Sequence, residues 1–162
     1  MGTTRAGGRV LAPLLDRLVD LGGGVAGEPG QFVLGEEELR ASVRRELGHV
    51  LGTRCMLTLE QAESLEPDER SALDYGLPDL GPLHLESAAQ ARHLEQIIHR
   101  AVQAFEPRLR QLQVSVHTAP YEEGTPVVVL TAMLALGDSS QAVSLPLQLD
   151  HSGRLLEVED GR

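Results

Sequence analysis

Acidic side chains are the most abundant groups in this sequence that could support catalysis. Two runs of them, Glu36–Glu38 and Glu122–Glu123, lie beside predicted turns. Hydrolysis of a glycosidic bond needs two carboxyl groups about 5 to 9.5 Å apart, one of them with a raised pKa. Acids beside turns are typically solvated, and only two Phe, two Tyr and no Trp are available to stack on a sugar. We therefore predict no catalytic residues and expect the protein not to be an enzyme.

The histidines and the single cysteine do not form a metal-binding pattern. His93 and His99 lie on one predicted helix at a spacing that places them on different faces. The sequence contains no HExxH motif and no pair of cysteines. Cys55 has no activating neighbours in the sequence and is expected to be a partly buried small side chain. We therefore predict no metal and no cofactor.

The most unusual local feature is the triplet Glu106-Pro107-Arg108 at the predicted end of a helix. A Glu at a helix C-terminus faces the negative end of the helix dipole, which costs about 0.3–1 kcal/mol. Arg108, Arg110 or an arginine of another chain could offset this cost. The triplet is therefore either a charged junction between helix and strand or a contact with a partner. If the pair is exposed, its loss should lower the stability of the isolated domain by only about 0–1 kcal/mol.

Length and charge limit the class of protein. The chain has 162 residues, which is enough for one domain with its own core. It carries 24 acids against 14 basic residues, and all of the basic residues are Arg. The resulting net charge of −10 opposes binding to a phosphate backbone, so nucleic acid is not a predicted partner.

The apolar stretches of the sequence are short. Charged residues interrupt residues 1–21, so we expect no signal peptide, and no apolar run reaches the roughly 20 residues that span a bilayer. One cysteine fits a reducing compartment. The sequence therefore predicts a cytoplasmic protein that does not insert directly into a membrane.

Three segments are predicted along the chain. Residues 1–21 form an amphipathic helical arm, residues 22–35 a glycine-rich linker, and residues 36–162 an α+β domain. A helix as short as the arm cannot bury its apolar stripe alone, so it must dock on the domain or on a partner. The stripe consists of Leu11, Leu14, Leu15, Leu18 and Leu21.

The domain is predicted to begin with helices. Glu36–Glu38 opens the first, and a short helical turn is expected near Leu59–Leu65. Ser87 is predicted to cap a long helix that ends near Glu106, because Pro107 disfavours helical backbone in the residue before it. The predicted apolar faces are Leu39, Val43, Leu47, Val50 and Leu51 in the first helix, and Ala91, Leu94, Ile97, Ile98, Ala101, Val102 and Phe105 in the long one.

Beyond Pro107 the apolar pattern changes to the period of a strand. Strands are predicted at 112–117, 127–136, 142–149 and 154–158. Pro146 cannot donate to a ladder, so it indicates an edge or a bulge in the third strand. Helices first and strands last predict an α+β fold with an antiparallel sheet. Part of the edge at 142–149 is expected to stay open and to accept an added strand.

Four motifs stand in a particular order along the chain. They are LLDRL at 14–18, SVRREL with LGTR at 42–47 and 51–54, YGLPDL at 75–80, and FEPRL at 105–109. The ordered set resembles the TssE family of type VI secretion baseplate proteins, which is similar to the lysozyme-like wedge proteins of contractile phage tails. The resemblance extends from about residue 11 to residue 158.

The resemblance implies a lysozyme-like baseplate wedge fold and a structural role. It implies a wedge subunit that contacts the baseplate proteins TssF, TssG and TssK and templates the sheath proteins TssB and TssC. It places this baseplate in the cytoplasm, docked at the inner face of the cytoplasmic membrane, and makes Glu106, Pro107 and Arg108 assembly contacts. The alternatives are a wedge of a phage or other contractile injection tail, a peptidoglycan hydrolase, and a stress-response adaptor of related fold.

Overall fold

The computed structural model describes residues 10–11, 33–83, 85–117, 126–136, 139–149 and 154–157. In these residues, helices precede the main β-sheet, as the sequence predicts. Two short 3-10 turns, Pro67–Glu69 and Ala72–Asp74, lie between the second and third helices. The other elements in chain order are β1 (Val10–Leu11), β2 (Val33–Leu34), α1 (Glu36–Gly52), α2 (Leu59–Ser64), α3 (Ala88–Phe105), β3 (Leu109–His117), β4 (Val127–Leu136), β5 (Ser139–Leu149) and β6 (Leu155–Glu157).

The two long helices form where the sequence predicts them. The Glu38 carboxylate accepts the Gly35 N–H at the start of α1 at 2.8 Å. The predicted Ser87 cap is confirmed, because its hydroxyl accepts the Gln90 N–H at 3.3 Å. The predicted apolar face of α1 is fully buried, and so is that of α3 except for Phe105, which is partly buried.

β3 to β6 form one antiparallel sheet in the order of the chain. Together with the preceding helices, this sheet confirms the predicted α+β class. Alternate residues of β4 and β5 pack with α1 and α3 in one core cluster. The core therefore lies between the helices and one side of the sheet. The buried strand residues in it include Val128, Leu130, Ala132, Leu134, Leu145, Leu147 and Leu149.

The prediction of a helical arm over residues 1–21 is wrong at Val10 and Leu11. Val10 and Leu11 form β1, which pairs antiparallel with Val33 and Leu34 of β2. These partners lie in the segment predicted to be a linker, so a ladder between two Val-Leu pairs prevails over helical periodicity at this point. The rest of the predicted arm and the glycine-rich segment 22–30 lie outside the described residues. The division into arm, linker and domain stays a prediction.

Pro146 lies at the outer edge of the sheet. β5 pairs with β4 from Ser139 to Gln148 without a shift in register, and Pro146 is opposite Val129. The bulge predicted as the alternative is therefore not in β5, and the shift in register lies in β3 between Arg110 and Gln113. β6 pairs only with Leu147–Leu149. Within the described residues, Ser139–Pro146 thus form an open edge. The predicted position of Pro146 at a sheet edge is confirmed.

The backbone of this edge has a definite orientation. The Leu149 N–H donates to the Pro126 carbonyl oxygen on the β4 side at 2.9 Å. Because the N–H groups of successive strand residues point to opposite sides, those of Ser140, Ala142 and Ser144 point to the open edge. Pro146 shares this orientation, so its missing N–H removes a donor from the edge and not from the ladder with β4.

Candidate functional site

Glu106 is a buried carboxylate at the junction of α3 and β3. Its N–H donates to the Val102 carbonyl oxygen at 2.8 Å and ends the helix, and its own carbonyl oxygen accepts the Leu109 N–H at 3.2 Å. Pro107 lies in this turn and is exposed. The side chain of Glu106 points inward and is only 2% exposed. The expectation for an exposed pair therefore does not apply to this residue.

Arg108 binds the Glu106 carboxylate with two parallel hydrogen bonds. Its Nε donates to Oε1 at 2.6 Å, and its Nη2 donates to Oε2 at 2.5 Å. The Arg108 backbone N–H also donates to Oε1 at 3.3 Å. Among the candidates considered from the sequence, the structure thus selects Arg108 as the partner. This two-point geometry depends on the planar guanidinium and is stronger than a single charged contact.

Ser42 is the third member of this cluster, and sequence reasoning missed it. Nη1 of Arg108 donates to the Ser42 hydroxyl at 3.0 Å, and Ser42 is 2% exposed. The signal was present, because Ser42 follows Leu39 by three residues and therefore lies on the apolar face of α1. The cluster Ser42–Glu106–Arg108 ties α1 to the end of α3 and the start of β3.

Tyr75 and Phe105 pack beside the cluster. Their ring centroids are 5.0 Å apart, and the planes are tilted by 59°. Burial raises the pKa of the Tyr75 hydroxyl, and the nearby negative charges of Glu46 and Glu106 raise it further. The YGLPDL motif therefore begins next to the FEPRL motif.

A second contact joins the LGTR and YGLPDL motifs. The Leu77 N–H donates to the Thr53 carbonyl oxygen at 3.0 Å, and the Cys55 N–H donates to the Leu77 carbonyl oxygen at 2.8 Å. Gly76, the residue before Leu77, has φ +107°, a backbone conformation that favours glycine. All of the resembling motifs except LLDRL thus meet in one region, and LLDRL lies outside the described residues.

The remaining candidate residues have structural contacts. His93 Nε2 lies 3.0 Å from Glu63 Oε2 and links α3 to α2. Cys55 is half-buried and held by its backbone bond to Leu77. Among the described residues, no group of three or more His, Cys, Asp or Glu side chains could hold a metal ion. None of the helices described is long and apolar enough to cross a membrane.

The contacts of the Ser42–Glu106–Arg108 cluster fix its side chains in place and do not present a carboxylate for hydrolysis. Both oxygens of Glu106 accept hydrogen bonds from Arg108, and the side chain is only 2% exposed, so burial shields this carboxylate from a substrate in solution. Arg108 remains 22% exposed. A guanidinium has five N–H groups, and the described contacts use three of them, so two can donate to a group on another protein.

A family model decides the class of protein. The model described as "Baseplate wedge protein gp25" matches residues 37–137, from the first turn of α1 to the end of β4. The chain belongs to this baseplate wedge family. TssE is a member of the same family, so the resemblance found in the sequence is confirmed. A search of curated proteins found no match.

Membership of the baseplate wedge family indicates the general function of this chain. Baseplate wedge proteins of the gp25 family are structural components of contractile tails, and they act through contacts with other baseplate proteins. The matched region contains Ser42, Glu106 and Arg108, whereas residues 1–36 precede it and β5 and β6 follow it. The cluster is therefore part of the family domain.

The family role predicts that the purified protein does not degrade cell walls. Incubation with a peptidoglycan suspension from about pH 4 to pH 8 should leave the turbidity unchanged, because the role of this family is structural. Hydrolysis of a glycosidic bond would need a pair of carboxyl groups positioned across that bond. The measurement is the fall in turbidity of the suspension over several hours, with lysozyme as the positive control. Sustained clearing that disappears when one Glu is replaced would contradict the structural role.

Proposed function

We propose that this chain is the TssE-type wedge subunit of a type VI secretion baseplate, with the lysozyme-like wedge fold of its relatives. It joins TssF, TssG and TssK, and it templates the sheath formed by TssB and TssC in the cytoplasm, at the inner face of the cytoplasmic membrane. The support is membership of the gp25 family together with the four ordered motifs. A wedge of a phage or other contractile injection tail is the alternative, and it differs in the sheath that it binds.

The observation that carries this proposal is the buried and tightly bonded Glu106–Arg108 pair. The Glu106 carboxylate and the Ser42 hydroxyl fix the guanidinium, while its outer side stays accessible. A guanidinium held in this way recognises a carboxylate or carbonyl group with little further loss of conformational entropy. It suits a permanent contact with a baseplate partner.

The open edge of β5 supports the templating role. Ser140, Ala142 and Ser144 direct their backbone groups to this edge, as an added strand requires. The opposite edge of the sheet is partly blocked, because Glu95 on α3 accepts the Val116 N–H of β3 at 2.8 Å. We therefore assign sheath addition to β5, and Pro146 at the end of the edge limits unwanted pairing.

Sheath assembly in cells tests the role of the triplet. We expect Glu106→Ala and Arg108→Ala each to abolish assembly of a fluorescent sheath. Arg108→Lys is a sharper test, because it keeps the charge but loses the planar fork. It should also prevent assembly, whereas Arg110→Lys, at an exposed position two residues later in β3, should assemble sheaths normally. If all variants assemble sheaths at matched protein levels, the triplet is only a structural junction.

Co-purification identifies the apparatus. The tagged full chain should retain TssB, TssC and the other baseplate proteins from cells that express the secretion genes. Retention of a phage-tail sheath instead would support the alternative wedge. Retention of a single soluble regulator and no sheath protein would contradict both.

Amide exchange tests the sheet edge. In the free protein, we expect the amides of Ser140, Ala142 and Ser144 to exchange fast and those of Gln141, Val143 and Leu145 to exchange slowly, because only the latter face β4. Binding of purified TssB–TssC should slow the first set selectively. Slow exchange at all six positions in the free protein would move the template surface to β3.

A further inference from the structure

The open edge of β5 lacks the charged side chains that commonly protect such an edge from pairing with another chain. The 11 residues of β5, SSQAVSLPLQL, include no Asp, Glu, Lys or Arg. The outer edge of β3 differs, because the Glu95 carboxylate accepts the Val116 N–H there at 2.8 Å. Protection of the β5 edge therefore depends on Pro146, which has no N–H, and on β6, which pairs with Leu147–Leu149.

The polar groups of this edge are arranged so that the edge complements itself. Ser140, Ala142 and Ser144 direct both their N–H and their C=O groups outward, because the residues between them pair with β4. A twofold rotation about Ala142 exchanges Ser140 with Ser144 and leaves Ala142 opposite itself. Two copies related in this way form about six main-chain hydrogen bonds, which pair every outward N–H and C=O of these three residues.

We propose that two copies of this chain pair reversibly through β5, antiparallel and in the register that places Ala142 opposite Ala142. The facing side chains on the outer side of the sheet are then small, because Ser140 of each copy lies opposite Ser144 of the other. The contact is isologous and uses the open edge of both copies. The assembly therefore closes at a dimer and does not extend into a fibre.

β6 restricts the register of this pairing. It already pairs with Leu147–Leu149, so a second copy cannot pair with that part of β5. In the register about Ala142, Leu147 lies opposite position 137, which precedes the start of β5 at Ser139. An axis at Val143 instead would place Leu147 opposite Ser139, at the position that β6 occupies. The register about Ala142 is therefore the longest pairing that β6 allows.

The helix side of the paired strands carries apolar surface. A cavity of about 140 Å³ opens between α1 and Ala142–Leu145, and its apolar floor includes the buried side chains of Val43 and Leu130. Val143 also lines this cavity and is half-buried. In the dimer, Val143 of each copy lies opposite Gln141 of the other. The second strand therefore removes part of the remaining Val143 surface from water, which favours pairing.

The small size of the interface makes the pairing weak. The paired stretch is about 17 Å long, which is too short by itself to bury the roughly 1,200 Å² of a stable complex. Identical copies also bring like charges together, and each copy carries a net charge of −10. We therefore expect a monomer at about 10 µM, dimers at about 1 mM, and stronger pairing when added salt screens the charges.

Dimerisation occupies the edge to which we assign sheath addition, and this consequence alone rests on the proposed function. The fast amide exchange expected at Ser140, Ala142 and Ser144 belongs to the dilute monomer, and dimerisation slows it. Pairing thus protects the edge from other strands wherever copies of the chain are concentrated outside the baseplate.

Sedimentation of the purified full chain tests the pairing without any sheath protein. The average mass should rise from that of a monomer at about 10 µM towards that of a dimer at about 1 mM. A constant monomer mass or growth beyond a dimer would overturn the proposal. Slow exchange of the Ser140, Ala142 and Ser144 amides in the dilute monomer would show that the chain covers its own edge, and would also overturn it.

NMR on a mixture of isotope-labelled and unlabelled copies tests the register. At about 1 mM, nuclear Overhauser cross-peaks should arise between molecules from the α-protons of Gln141 and Val143. These two residues form a non-hydrogen-bonded pair in the proposed register, which brings their Cα atoms to about 4.5 Å. Intermolecular cross-peaks that involve only other residues would overturn the proposal.

Two lysine variants provide the matched comparison. Ala142→Lys places two like charges opposite each other at the twofold axis, on an exposed position, and should weaken dimerisation at least about tenfold. Gln148→Lys makes the same change in net charge at an exposed position of β5 outside the paired stretch, so dimerisation should stay nearly unchanged. Unchanged amide exchange in α3 verifies that both variants are folded. Equal dimerisation of the two variants would contradict the proposal, whether or not a sheath strand adds at this edge.

Discussion

Arg108→Ala should lower the free energy of unfolding by about 3 kcal/mol, because it leaves a buried carboxylate without its partner. Glu106 is 2% exposed and accepts two side-chain hydrogen bonds from Arg108. The measurement is urea unfolding of the purified full chain followed by circular dichroism. The m-value should stay unchanged, which would confirm that the variant loses stability and not compactness.

Two further variants distinguish the stability lost with the Glu106–Arg108 pair from the effect of removing any charged residue. Glu106→Ala should cost less, about 1–2 kcal/mol, because Arg108 is 22% exposed and can turn its charge towards water. Arg110→Ala removes an exposed arginine at the start of β3, two residues after Arg108, and should change stability by less than about 0.5 kcal/mol. If Arg108→Ala costs no more than Arg110→Ala, the pair does not stabilise the fold.

The elements of this protein follow from patterns that are local in sequence. The apolar stripes of α1 and α3, the alternation in β3 and β5 and the continuous apolar run of β4 each extend over several turns or residue pairs. Ser87 and Pro107 mark the ends of α3 by the chemistry of single residues. At Val10 and Leu11, where the predicted helical stripe begins, pairing with Val33 and Leu34 decided the structure instead of the local pattern.

The contacts of the cluster depend on tertiary structure and were only partly predictable. The sequence indicated that Glu106 needs a positive partner and placed Ser42 on the apolar face of α1. The burial of the pair and the hydrogen bond from Arg108 to Ser42 did not follow from it. Arg70 is a similar case. It lies among charged residues typical of a solvated turn, yet it is 9% exposed and its Nη2 donates to the Ala62 carbonyl oxygen at 2.7 Å.

Gly76→Ala should lower the free energy of unfolding by about 3 kcal/mol or more, although it adds a single methyl group. At φ +107° an alanine is strained, and its Cβ would lie 2.5 Å from the Thr53 carbonyl oxygen. That oxygen accepts the Leu77 N–H, so relief of the clash breaks the link between the LGTR and YGLPDL motifs.

Gly48→Ala is the matched control, since it makes the same chemical change in a different backbone environment. Gly48 lies inside α1, and a Cβ built there meets no atom within 4 Å. Alanine is the better helix former, so this variant should gain about 0.4–1 kcal/mol. Urea unfolding of both variants beside the parent chain measures the two effects. The two changes in the free energy of unfolding should have opposite signs, because backbone conformation and close contact determine the outcome and not the added methyl group. A loss of stability in both variants would contradict this explanation.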